Sequence, residues 1–397
     1  MHKNEIGSHI EEAVEAIEAK LIDIRRDIHA YPETGFDVVR TSALVADSLK
    51  QAGIPYQTAI GRTGVVGTID TGRPGPTLLL RADMDALPIH EQTGLEFASN
   101  IDGKMHACGH DLHTSTLIGA GILLEGLKPH LVGTIKLMFQ PAEETSESGA
   151  RAMIEDGVLD GVDMAIGFHN HPDEEVGSFS YVSGIVNGSS DEFSIVVRGR
   201  SGHAARPHMA NDPIVAAATL ILQLQTIVSR EVDPMHPAVL TIGGIEGGKT
   251  ENIIPDAIRI IGTVRTQHRE NRDLIENAIR RQCEGVSTSM NVNCEFNMVR
   301  GVPSLINDDA LTARTMKAIA AHFGSQSVEQ RPASLGAEDF ALVGEKVPAF
   351  QLGIGARTPG RDDKLHNSDY QPDERSIRNG VIALTLAACD ILAADRI

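Results

Sequence analysis

The sequence predicts an α/β protein, with a mainly parallel, helix-covered sheet interrupted by a separate α+β insert. Three observations carry this reading. Short apolar runs alternate with helical segments through the first half of the chain, and the runs end in Asp83 and Asp85, in Glu143 and Glu144, and in His169. The same alternation returns close to the C-terminus. Between the two lies a stretch of different periodicity whose order, β-α-β-β-α-β, is that of the split βαβ or ferredoxin-like motif. The predicted division is 1–185 and 302–397 for one domain in two parts, and 186–301 for the insert.

Length and composition agree. A chain of 397 residues is too long for one ordinary core. With 41% apolar and 22% charged residues it reads as globular and soluble. No unbroken apolar run has the length that spans a bilayer, which argues against a membrane partner. Residues 1–33 form an acidic amphipathic pattern without a signal peptide's apolar centre, so the cytoplasm is the expected compartment. A net charge of -19 argues against nucleic acid and anionic membranes. The cysteines (Cys108, Cys283, Cys294, Cys389) stand singly, which fits neither a zinc ribbon nor a disulfide scaffold.

In chain order, helices are expected at 9–29 and about 38–52, the second stopped by Gly53 and Pro55. Strands follow at Val65–Ile69 and Thr77–Leu80, the latter a continuous apolar run suited to burial on both faces. A buried helix at 117–127, a strand at 133–139, a helix at about 147–157 and a strand at 163–168 complete the alternation, which implies a parallel sheet. Sites in such sheets gather at the carboxyl ends of strands, so the acids and His169 are expected along one edge. In the insert, Asp191–Arg200 alternates as a strand with one wet face. A helix at about 212–230 starts with Asp212 as cap and Pro213 at its first position. Strands at 238–243 and 257–265, a helix at about 270–285 and a strand at 291–298 close it. After the insert, Ser334–Phe340 is expected to open a short helix. A strand at 348–355, a loop with His366 and a helix at 376–394 end the chain.

The stretch Met105–Thr114 is the densest in chemistry. Cys108 and His110, two apart at a loop-to-helix junction, can offer a soft sulfur and an imidazole nitrogen to one point. A buried cysteine among loop histidines is the plain alternative, and the convergence of three other strand ends argues against it. Adjacent Glu143 and Glu144 cannot reach one point from the same direction, so one suits a metal and the other a proton. The glycine-rich loops at 199–208 and 244–255 match no phosphate-binding pattern; their His203 and Asn252 could donate to a developing oxyanion, or simply make turns.

The set RADMDALP, MHACGHDLHT, FQPAEE, FHNHP, GHAARPH, ENIIPD, GAEDF and HNSDY resembles the M20 metallopeptidase family, in order and over nearly the whole chain. The resemblance is to its amidohydrolase branch of N-acyl-amino-acid, hippurate and indole-acetyl-amino-acid hydrolases. It implies two divalent metals, Mn or Zn with Co and Ni as options, held by Cys108, His110, Glu144, His169 and His366, with Cys108 bridging. It implies amide hydrolysis by metal-activated water with Glu143 as general base. His203 is implied as an oxyanion donor, and in the family it arrives from a neighbouring subunit. That would make the insert both lid and dimerisation module, and a homodimer or dimer-based oligomer the expected assembly. Asn252 resembles a substrate-contacting residue, and Arg265 could grip a carboxylate. The chain has Asp83-Met84-Asp85 where peptidase branches have His-x-Asp, which removes Asp83 from the ligand set. Asp85 is counted with the catalytic group as an outer carboxylate orienting an imidazole. His106, His113 and His171 are left outside the ligand set. An N-acyl amino acid is the expected substrate. Dipeptidase or other small-amide hydrolase or deaminase activity is the alternative, ahead of a non-catalytic metal-binding module.

Overall fold

The computed structural model describes residues 3–394, with side chains described from residue 7 onward. The chain divides into two compact units. One comprises residues 1–184, 306–332 and 342–397; the other comprises 185–305 and 333–341.

The first unit is built on an eight-stranded sheet. Its strands are β1 (Tyr56–Ile60), β2 (Gly64–Asp70), β3 (Thr77–Asp83), β4 (Thr134–Gln140), β5 (Met164–Glu175) and β6 (Phe179–Tyr181). The second unit contributes β7 (Asp191–Arg198), β8 (Gly202–His203), β9 (Ala238–Glu246), β10 (Ile253–Ile254), β11 (Ala257–Thr266) and β12 (Asn293–Arg300). The first unit's sheet is completed by β13 (Val328–Gln330) and β14 (Ala349–Arg357). Its order is β1-β2-β4-β3-β5-β14-β6-β13. The four central strands β4, β3, β5 and β14 run parallel, and β1, β2 and β6 add antiparallel pairs. Leu78, Leu79 and Leu80 of β3 are fully buried, as its apolar run requires of a strand covered on both faces.

Helices α1 (Lys3–Ala30), α2 (Val39–Gln51), α3 (His110–Leu127) and α4 (Gly149–Glu155) belong to this unit. Helix α3 is buried on nearly every side, consistent with its high apolar content (LIGAGILL), and packs against α1. In the second unit, α5 (Pro213–Arg230) and α6 (Arg269–Met290) cover one face of the four-stranded antiparallel sheet β12-β7-β11-β9. That is the ferredoxin-like arrangement. The Asp212 carboxylate caps α5 by accepting from Ile214 N–H at 2.9 Å. Helix α5 is long and apolar enough to cross a membrane by length and composition. Its buried residues (Ala216, Ala217, Leu220, Leu224, Ile227) recur at helical spacing along one face and join the insert's core. The first unit ends with α7 (Asp309–Phe323), α8 (Ala341–Gly344) and α9 (Arg375–Leu392); α9 lies against α3, α1 and α7.

Several elements differ from expectation: β5 continues past 168 through His169 and His171 to Glu175, and the short strands β6, β8, β10 and β13 were not foreseen. The short helix is not at Ser334–Phe340 but at Ala341–Gly344. Before it, side chains take the amides a helix would use: Gly336 N–H donates to Ser334 Oγ and Phe340 N–H to Glu338 Oε1. Strand β1 is exposed at four of five positions, so no alternation announced it. Helix α7 was also unforeseen, although Asp308 caps it by accepting from Leu311 N–H at 2.8 Å and Gly324 ends it.

Candidate metal centre

The parallel strands bring their carboxyl ends to one edge; His169 stands on β5 itself, and the segments after β3, β4 and β14 carry the other functional side chains. Helix α3 begins at His110 behind Gly109, whose φ is +83°. A Cβ at Gly109 would lie 1.9 Å from Asn170 Oδ1, so only glycine fits. Asn170 Nδ2 donates to the Cys108 carbonyl (3.1 Å) and to the buried Tyr370 hydroxyl (2.9 Å), fixing the cysteine's loop. Of the non-glycine residues in the left-handed region, two belong to the site, Ala142 (φ +53°) just before Glu143, and His366 (φ +65°) itself. Such backbones persist only where surroundings hold them. His366 N–H donates to the Ala107 carbonyl at 2.8 Å, and Ala142 N–H to Gly35 at 3.1 Å.

Donor atoms converge in several groups of three, among them Cys108–His110–His169, Cys108–Glu144–His366 and Asp83–His110–His113, each with its atoms within 4.8 Å of one another; the first two form the candidate centre. Cys108 belongs to both. Its Sγ is 3.4 Å from His169 Nε2, and His366 Nε2 is 3.2 Å from Glu144 Oε1. His169 Nδ1 donates to the Asn170 carbonyl at 2.8 Å, which leaves Nε2 as its free donor. Glu143 falls in a further group with His110 and Glu144. The residues fit a pair of divalent cations on one observation: both ring nitrogens of His110 are buried and, among the described residues, have no hydrogen-bond partner. Buried polar atoms are rarely left unpaired, and thiolate, imidazole and carboxylate at one point suit a transition metal.

His113 is not available as a ligand. Its Nδ1 donates to Asp83 Oδ1 at 2.6 Å and its Nε2 accepts from Asn170 N–H at 3.0 Å. Asp83 is further engaged by Arg81 Nη1 at 2.6 Å. Asp85 lies beside His110 and serves the glutamate turn. Its carboxylate is 3.6 Å from His110 Nδ1, beyond a hydrogen bond. Instead it accepts from the backbone N–H groups of Glu143 (2.9 Å) and Glu144 (3.2 Å), and so sets the glutamate turn.

Burial and neighbouring charge act on the group together. Burial, reinforced by Glu144, Glu143 and Asp83, pushes the Cys108 thiol well above its ordinary value. Burial alone would lower His110, but Asp83 and Asp85 carry it up to about 10. Burial pulls His169 down to about 3. For Glu144 burial raises and the His366 hydrogen bond lowers, with a net downward shift.

Behind α3 lies a network that sequence reading missed. Asp111 Oδ2 pairs with Arg25 Nε (2.8 Å) and accepts from His29 Nδ1 (2.7 Å), and His29 Nε2 meets Glu91 at 3.2 Å. Arg25 and His29, four apart on α1, were the available signal. His106 is buried near it, and among the described residues neither ring nitrogen is hydrogen-bonded.

The remaining predicted residues lie in the second unit. His203 pairs with Ile253 across β8 and β10, and Ala204 N–H donates to the Asn252 carbonyl at 3.1 Å, so His203 and Asn252 share one exposed loop pair. Arg265 stands half-buried on β11, outside that pair. His236, His268 and Glu270 also cluster there. The two imidazoles are stacked at 3.7 Å and 16°. Lone pairs lie in ring planes, and nearly parallel planes do not converge on one ion.

Residues 79–390 match the peptidase family M20/M25/M40. The chain belongs to that family. It is an enzyme of the family's metal-dependent hydrolase class. Among its relatives is an N-acetyl-L-cysteine deacetylase of Bacillus subtilis, 42% identical over 361 residues, covering 91% of this chain and 85% of the relative. A thermostable carboxypeptidase of Saccharolobus solfataricus is 38% identical, covering 94% and 96%. Among solved structures, the Bacillus subtilis YXEP protein, a dinuclear metal binding peptidase from family M20, superimposes with a TM-score of 0.84. It is 36% identical, covering 95% of this chain and 99% of that one.

Proposed function

We propose that this M20 enzyme hydrolyses the amide bond of N-acyl amino acids, with Glu143 as general base. The observation that carries the reading is the pair of donor groups sharing Cys108, with Glu143 held beside Glu144 by Asp85. Cys108, His110 and His169 would hold one divalent ion, and Cys108, Glu144 and His366 the other. Zinc suits the thiolate and imidazoles, and manganese, cobalt or nickel the carboxylate. When bound, such ions supply Lewis acidity and lower the pKa of water. Glu143 accepts the proton of the attacking water and delivers it to the leaving amine. His203 donates to the developing oxyanion, and Asn252 and Arg265 bind the amino-acid portion. The names of relatives acting on N-acetylcysteine and on indole-acetyl conjugates support the substrate class.

We infer further that the enzyme is a homodimer formed through its insert. Ile214, Val215 and Leu222 of α5 are exposed, as is Ile245 of the edge strand β9. Exposed apolar side chains beside an unpaired strand edge suit a second copy. Four unpaired cysteines support a cytoplasmic location.

A second reading, release of C-terminal residues from peptides, draws support from the carboxypeptidase relative. One experiment separates them: metal content and turnover of N-acetyl, N-benzoyl and indole-acetyl amino acids and of dipeptides, for the wild type and Glu143→Ala. About two metals per chain, retained in the variant, with acyl-amino-acid hydrolysis reduced about 10²–10⁴-fold, is the expected result. Turnover of peptides alone would favour the second reading.

A further inference from the structure

We propose that His171 determines which acyl group the enzyme accepts, favouring planar aromatic acyl groups over acetyl. The inference rests on the amidohydrolase reading above. His169 and His171 are two apart on β5, so both face the same side of the sheet. Their ring centroids are 5.8 Å apart. The His171 ring lies against bare backbone of β14: a Cβ on Gly353 would stand 2.7 Å from its Cδ2 and 3.0 Å from its Nε2. Glycine at 353, which pairs with His169 in the register, leaves room both for the Ser180 hydroxyl, 2.1 Å from such a Cβ, and for this ring. Its neighbours are otherwise engaged. Both nitrogens of His113 are bonded within the protein, and His169 is divided between the Asn170 carbonyl and Cys108. Among the described residues nothing hydrogen-bonds the half-buried His171 ring, and it belongs to neither donor group that shares Cys108.

Its position along the edge assigns the part of the substrate it meets. In the order β4-β3-β5-β14, Glu143 follows β4, while His171 is two strands away on β5, beside β14. The leaving nitrogen must be within reach of Glu143, so the acyl substituent, on the other side of the carbonyl carbon, extends away from it and toward β5. There the flat imidazole offers an aromatic acyl group a stacking surface.

The test compares kcat/KM for N-benzoyl and N-acetyl derivatives of one amino acid, and for N-acetyl derivatives of two amino acids. It uses the wild type, His171→Leu and His171→Phe, with metal content measured on each. The substitution His171→Leu is expected to lower the benzoyl-to-acetyl ratio about three- to tenfold, with metal retained and the amino-acid ratio unchanged. The His171→Phe variant, which keeps a flat face, is expected to preserve the ratio. An unchanged ratio in His171→Leu, an equal loss on every substrate, or a loss of metal would overturn the inference while leaving the amidohydrolase reading intact. A wild type that turns over no N-acyl amino acid would overturn both.

Discussion

At the residue scale, Cys108 is the hinge of the proposed chemistry because it alone belongs to both donor groups. Cys108→Ser replaces a soft donor by a poor one, so metal affinity is expected to fall by more than the about 10–100-fold that loss of an outer partner costs. Dialysis followed by elemental analysis reads this directly. A thiolate at that point is also oxidisable, so activity lost in air and restored by reductant is expected of the wild type; an air-stable wild type would count against it. Metal loading should release protons. Burial raises the Cys108 thiol and carboxylates raise His110 to about 10, so both carry protons at neutral pH once metal is stripped. Affinity should therefore increase with pH, and titrations in buffers of different ionisation enthalpy should show proton release; identical heats in all buffers would contradict it. At Gly109 the constraint is steric. Gly109→Ala places a methyl against Asn170 in a left-handed backbone and is expected to destabilise by about 1–3 kcal/mol or more, read as a lower urea midpoint.

At the element scale, the N-terminal turn of α3 depends on α1. Asp111, immediately after His110, is fully buried against Arg25 and His29 of α1. Burial raises its carboxyl, but Arg25 and His29 outweigh this and hold it far below the usual range. Burial and Arg25 lower His29, yet Asp111 and Glu91 leave it raised overall. The signs are opposite. The depressed Asp111 contributes fully above about pH 4, the ordinary carboxylate value, and loses that contribution as pH falls. The raised His29 contributes fully below about pH 6.5 and loses it as pH rises through its folded value. The network should thus be strongest between those limits. Asp111→Asn takes from buried Arg25 one of its two carboxylates, the other being Glu374 at 3.1 Å, and is expected to cost up to the about 3–5 kcal/mol of a broken buried pair, with a flatter pH profile. Urea unfolding of metal-stripped wild type and variant from pH 3 to 8 checks it; an unchanged profile would show that the network does not govern stability.

For the whole molecule, the expected assembly turns on the insert's exposed apolar face. Leu222 is 73% exposed on α5, a large cost for a residue of that type unless another surface covers it. Leu222→Glu is expected to shift the protein from dimer to monomer in light scattering after gel filtration. A variant that stays dimeric, or a wild type that is monomeric at micromolar concentration, would remove this face as the interface.

Much of this was legible in the chain. Periodicity found the strands at 77–80, 133–139 and 163–168 because buried parallel strands are rich in apolar residues, although β5 runs on past 168 and carries His169 and His171 itself. Asp212-Pro213 and the alternation after Asp191 disclosed the insert for the same local reason. What local pattern cannot carry is direction and partnership. That Asp85 turns to the Glu143 and Glu144 amides rather than to His110, and that His113 is consumed by Asp83 and Asn170, follow from strands adjacent in the sheet but distant in sequence. Residue types and spacing set which donors the protein has; only the packing of α1, α3 and the strand ends decided which nitrogens stayed free, because each hydrogen bond already made removes a lone pair from a metal or a substrate.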